Sequence, residues 1–72
     1  MIGMNIKIAR LKSKLTQSSL ADRCHVSKQT ISFIEREKMI PSLLLAMKIS
    51  EELQVPIDEL LAGEQRMYRG QK

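Results

Sequence analysis

Lys28, Gln29, Ser32 and Phe33 stand at i, i+1, i+4 and i+5, so a helix through them presents all four along one side. Their functional groups suit the edges of nucleic-acid bases. The Gln29 carboxamide can pair bidentately with adenine N6 and N7, and the Lys28 ammonium can reach guanine O6 or N7, or a phosphate. Ser32 adds a hydroxyl. Phe33 forms no hydrogen bond and fits thymine methyl groups. One well-formed pairing of this kind discriminates between bases by about 1–3 kcal/mol.

Such a helix needs a scaffold that pushes it outward. Residues 16–36 read as two short helices joined by a tight turn. Thr16 caps the first, with its hydroxyl placed to accept from the Ser19 amide, and Leu20, Ala21 and Cys24 form its inward stripe. His25 and Val26 make the turn. Ser27 caps the second, with Ile31 and Ile34 inward. Ahead of this unit, residues 1–4 are expected to be loosely ordered or a short extended arm. Asn5 is expected to cap a helix to about Lys14, with Ile8, Leu11 and Leu15 as its inward stripe. Residues 36–40 read as a charged loop ended by Pro41. Ser42 caps a fourth helix with Leu43, Ala46, Met47, Ser50 and Leu53 inward. Pro56 opens a last short helix that uses Ile57, Leu60 and Leu61, and Gly63 stops it. The chain thus reads as one all-α domain of five helices over residues 1–63, followed by a polar segment, 64–72, that is a mobile tail or a short strand.

Composition agrees. Seventy-two residues leave little room for a second core or an enzyme cleft. The chain is 43% hydrophobic but only 3% aromatic, so its core is aliphatic and suits helices. The net charge of +4 is unevenly spread. Residues 1–14 carry Lys7, Arg10, Lys12 and Lys14 and no acid, whereas residues 41–63 set Lys48 against Glu51, Glu52, Asp58 and Glu59. The N-terminal half is therefore the part expected to meet a polyanion. A single cysteine makes no internal disulfide, and neither a membrane-length apolar run nor a signal peptide is present, which points to the cytoplasm. Cys24 beside His25 has no further ligands at hand, so no metal or cofactor is expected, and Cys24 reads as a small core hydrophobe. The lone histidine has no acid or nucleophile constellation, and no glycine-rich phosphate loop occurs, so enzymatic activity is not expected.

The order of these signals resembles one family. Leu15-Thr16-Gln17, Leu20-Ala21, the run from Val26 through Ser27, Lys28, Gln29, Thr30, Ile31 and Ser32 to Ile34, Glu35 and Arg36, Pro41-Ser42-Leu43, Lys48-Ile49 and Ile57-Asp58-Glu59-Leu60 follow at the spacing of the phage-repressor/Cro-type (xenobiotic-response-element type) helix-turn-helix proteins, and most of all its small standalone bacterial regulators. The likeness spans residues 5–62 without a gap.

That resemblance implies a compact lambda-repressor-like domain in which helices two and three form the helix-turn-helix. It implies a sequence-specific DNA-binding transcription regulator, more specifically a repressor, acting as a homodimer on a palindromic operator through the major groove. Carried over by position, Gln17 bonds a phosphate at the start of helix two. Lys28, Gln29, Ser32 and Phe33 read bases or hold phosphates, with Ser27 and Thr30 beside them, and Arg10 pairs with Glu35. Two departures stand out. His25 occupies a turn position where the family usually has glycine, and Glu37 replaces the glycine of the following loop, leaving Arg36 and Lys38 to supply the loop contact. Leu44 and Leu45 point away from the expected inward stripe and, with Met67 and Tyr68, form the expected dimer contact. An antitoxin-like interaction protein that binds DNA secondarily, or a restriction–modification controller, are the alternative readings of the same fold.

Overall fold

Hydroxyl groups begin three of the helices. The computed structural model describes residues 1–63, which form α1 (Ile2–Lys12), α2 (Gln17–Cys24), α3 (Lys28–Glu35), α4 (Leu43–Leu53) and α5 (Ile57–Leu60), with no strand among the described residues. Thr16 Oγ1 accepts from the Ser19 amide at 3.0 Å, Ser27 Oγ from the Thr30 amide at 3.1 Å and Ser42 Oγ from the Leu45 amide at 3.1 Å. Each hydroxyl satisfies one of the amides that a helix start leaves unpaired. The expected tail over 64–72, with Met67 and Tyr68, lies outside the described residues.

Helix ends follow a second rule. α1 to α4 each run into a left-handed residue that is not glycine: Lys14 (φ 60°), His25 (φ 60°), Glu37 (φ 61°) and Gln54 (φ 57°). The amide after each folds back on a carbonyl five residues earlier: Leu15 on Arg10 (3.1 Å), Val26 on Ala21 (3.0 Å), Lys38 on Phe33 (2.8 Å) and Val55 on Ser50 (3.1 Å). This is the Schellman closure, in which glycine normally takes the left-handed position. The His25 turn is therefore intact, with the helix-turn-helix bend made by a side-chain-bearing residue. Gly63, at φ 95°, follows α5.

α1 departs most from its sequence reading. The first four residues are not an arm: the helix starts at Ile2, and its buried stripe is Ile2, Ile6 and Arg10, while Ile8 and Leu11 are 44% and 55% exposed. Leu15 does pack against the core from the α1–α2 connection. The early start depends on contact with α3. A Cβ on Gly3 would collide with the Ile34 carbonyl oxygen and stand 2.8 Å from Glu37 Oε2, so only glycine lets the first turn of α1 sit against the end of α3. Glu37 Oε2 accepts from the Met4 amide at 3.0 Å and completes that turn, where an anion is also favoured by the helix dipole. Asn5 does not cap α1; it lies inside the helix, and its Nδ2 donates to the Leu60 and Ala62 carbonyls at 2.8 and 2.9 Å. It therefore closes the C-terminal end of α5 across the fold.

The core gathers Ile6, Leu20, Ile31, Ile34, Ile49 and Leu60, all fully buried, with Ile2, Ala21, Cys24 and Leu53 beside them. α2 packs on α3 and α4, α1 on α3, and α5 closes against α1 and α4. On α4 the buried face is Ala46, Ile49 and Leu53, with Leu45 packed against its edge, whereas Leu43 and Met47 are 72% and 52% exposed. Leu45 is thus a core neighbour and not an exposed contact residue; Leu44, at 78%, is exposed.

Left-handed residues with a Cβ cost about 1–2 kcal/mol, and glycine restores part of this against its larger entropy in the unfolded chain. Lys14→Gly and Gln54→Gly are each expected to stabilise the fold by about 0.5–1 kcal/mol. The same change at Glu37, which also removes the carboxylate on Met4, is expected to give no gain. Urea unfolding midpoints check both statements.

Candidate nucleic-acid interface

A buried charge pair sets the geometry of the outward face. Arg10 Nε and Nη2 donate to Glu35 Oε2 and Oε1 at 2.7 and 3.0 Å, a bidentate pair with side chains only 9% and 2% exposed. Arg10 Nη1 also donates to the Leu15 carbonyl at 2.8 Å. Gln17, the first residue of α2, donates through Nε2 to Glu35 Oε1 at 3.1 Å. One carboxylate thus joins α1, the start of α2 and the end of α3. Among the described residues, no buried side-chain nitrogen or oxygen is left without a partner. A desolvated pair is tolerable only with that completeness. Gln17 is half-buried and held by Glu35, so its amide group sits at the mouth of α2 with a fixed orientation.

α3 projects from this anchor. Lys28 and Gln29, its first two residues, are exposed, and Ser32 and Phe33 are half-buried one turn further on. Ser27 and Thr30 are occupied with each other: their hydroxyls lie 2.9 Å apart, and Ser27 also accepts the Thr30 amide. The Arg36 guanidinium lies 5.2 Å from the centre of the Phe33 ring, a cation–π distance, while its Nε donates to the Ser32 carbonyl at 3.4 Å. Phe33 is therefore not a bare apolar surface; it carries a cation on its face. Lys38 is exposed in the turn after α3. Glu37, between Arg36 and Lys38, turns its carboxylate to the Met4 amide. Sequence reading missed the Gln17–Glu35 bond and the Arg36–Phe33 contact; the second has a local signal, since residues three apart on a helix meet.

Charges of α4 are paired among themselves and with α2. Lys48 pairs with Glu51 and Glu52 at 3.2 and 3.3 Å, and those carboxylates hold its ammonium above the ordinary lysine range. Arg23 lies 3.9 Å from Glu52. Burial, followed by the charge of Glu52, pushes the Cys24 thiol up, so it stays protonated within the core. No cluster of metal-ligating side chains occurs among the described residues, and none of their helices is long and apolar enough to cross a membrane.

Residues 6–60 match the helix-turn-helix family model. An otherwise uncharacterized HTH-type transcriptional regulator of Methanocaldococcus jannaschii is 42% identical over 59 residues, covering 82% of this chain and 89% of its own. The immunity repressor of Bacillus phage phi105 is 30% identical over 63 residues, 88% of this chain and 44% of the repressor. The solution structure of the DNA-binding domain of the P22 C2 repressor superposes with a TM-score of 0.83 at 33% identity, covering 89% of this chain and 84% of that domain.

Removing one partner of the buried pair strands the other charge. Glu35→Ala is expected to cost about 3–5 kcal/mol in urea unfolding, and the double change Arg10→Met with Glu35→Leu to recover most of it. A loss near the ~0–1 kcal/mol of a surface pair would show that the network carries no structural weight.

Proposed function

Since this chain belongs to the phage-repressor/Cro-type helix-turn-helix family of transcriptional regulators, we propose that it acts as a homodimeric repressor on an inverted-repeat operator in the cytoplasm. The observation that carries this reading is α3 itself. Its Ser27-capped start offers exposed Lys28 and Gln29 to solvent, and buried Glu35 ties its end to Arg10 of α1 and to Gln17 at the start of α2.

Each proposed contact has a physical basis. The first turn of α2 holds unpaired amides and a positive dipole end, suited to a phosphate, with Gln17 beside them. Lys28 and Gln29 are the base readers, and Ser32 and Phe33 lie next along the helix. The guanidinium on the Phe33 ring equips that position for both a thymine methyl and a phosphate. Ser27 and Thr30 hold the helix start, and Arg36 and Lys38 approach the backbone after α3. Two copies of α3 would enter successive major grooves about 34–36 Å apart. Occupancy of a promoter by such a dimer blocks transcription. Repression is supported by likeness to the phage phi105 immunity repressor and to the DNA-binding domain of the P22 C2 repressor.

For the dimer we place the contact on the exposed face of α4. Leu43, Leu44 and Met47, with Ile40 just ahead of them at 84% exposure, are large apolar side chains left exposed on and beside α4, the kind of surface that a partner covers. Leu44→Glu is expected to yield a folded monomer by light scattering at high micromolar concentration. A dimer unaffected by that change would move the contact elsewhere.

Selection of bound sequences from a random DNA pool tests the whole reading. A palindromic consensus is the expected result, and absence of enrichment would remove the sequence-specific function. On the selected site, Gln29→Ala is expected to lose about 1–3 kcal/mol of discrimination, whereas Gln17→Ala weakens selected and random DNA alike. Equal losses for both variants on both DNAs would contradict that division of labour.

A further inference from the structure

α1 has two apolar stripes, and the fold uses one. Ile2 and Ile6 are buried beside Arg10, whereas Met4, Ile8 and Leu11 are 51%, 44% and 55% exposed on the opposite side of the same helix. Because Arg10 points at α3, the exposed stripe faces away from it. The stripe also has a wall. Beside Ile8 and Ala9 a groove of about 420 Å³ runs between α1 and the chain around α5, backed by Val55, Glu59, Leu60 and Ala62. The rims are basic. Lys7 stands three residues after Met4 and four before Leu11, and Lys12 stands four after Ile8 and lines the groove. Both lysines are exposed, and residues 1–14 contain no acid.

We propose that this trough is a docking surface for an acidic amphipathic helix of a partner protein. The stripe offers positions at helical spacing for leucine-like anchors, the helix-in-groove mode, and Lys7 and Lys12 select for carboxylates on the flanks of the incoming helix. Charge argues against the other occupants. A second copy of α1 would set lysines against lysines. The chain's own residues 64–72 carry Arg66, Arg69 and Lys72 against Glu64 and meet the same repulsion. DNA phosphates gain nothing from an apolar stripe. The surface goes beyond the regulator reading and does not depend on it, since binding here is measured without DNA.

The test uses the full chain and a fluorescently labelled synthetic helix with leucines at i, i+3, i+4 and i+7 and glutamates between them, followed by anisotropy. Two control peptides share the length: one with the same residues in scrambled order, one with lysines for the glutamates. The acidic helix is expected to bind, and both controls to bind at least roughly tenfold more weakly. Leu11→Ser, and Lys7→Glu with Lys12→Glu, are expected to weaken binding by a similar factor while the circular dichroism spectrum stays unchanged, because these side chains are exposed. Absence of binding, equal binding of the scrambled peptide, or indifference to Leu11→Ser would overturn the proposal. Loss of binding on Leu44→Ser instead would place the docking face on α4 and overturn it as well. Displacement of the peptide by excess random duplex DNA would assign the lysines to nucleic acid and have the same effect.

Discussion

The Arg10–Glu35 pair is the constraint on which the rest of this small domain depends. Two opposite charges have left water, and they are tolerable there because further hydrogen bonds support them, from Arg10 to the Leu15 carbonyl on one side and from the Gln17 amide to Glu35 on the other. The pair lies where α1 and α3 meet, and Gln17, on the same carboxylate, couples that contact to the start of α2. A helix-turn-helix works as a rigid body only if the angle between its two helices does not drift. An apolar interface of this size could slide; a bidentate guanidinium–carboxylate fork has one good geometry.

The local signals of the sequence were legible wherever a residue acts on its own neighbours. Thr16, Ser27 and Ser42 cap the helices that follow them, and Ile31 and Ile34 face inward at helical spacing. Legibility failed where a residue acts across the fold. Asn5 looks like a cap and is one, but for the far end of α5. Gly3 in a run of methionine and isoleucine gives no hint that it lies against the Ile34 carbonyl. α1 was read with the wrong face inward because periodicity counts apolar side chains, and the true inward stripe contains an arginine. On α4 the phase was lost for the opposite reason. Three consecutive leucines, Leu43 to Leu45, fit several stripes equally, and only contact with Ile49 and Leu53 on the buried side decides among them.

Of the proposed nucleic-acid interface, the exposed pair Lys28 and Gln29 was visible from residue type and spacing. What went unread is that Phe33 bears the Arg36 guanidinium, despite the spacing of three, and that Gln17 is engaged by a buried acid across the fold. Both matter for how the surface is presented. A side chain already held in place loses less conformational freedom on meeting a partner than one that must be ordered at that moment.

Glu37 shows what a side chain does at a position that favours none. Its backbone is left-handed, so locally it is a poor choice for ending α3. Its carboxylate, however, accepts from the Met4 amide 33 residues earlier in the chain. In landscape terms the residue is locally frustrated and globally consistent. The end of α3 is therefore conditional on tertiary structure: a peptide holding only α2 and α3 would carry the strain without the contact that compensates it, and would fray at its C-terminal turn. The boundary of α3 is a property of the whole domain, set when its first and third helices meet.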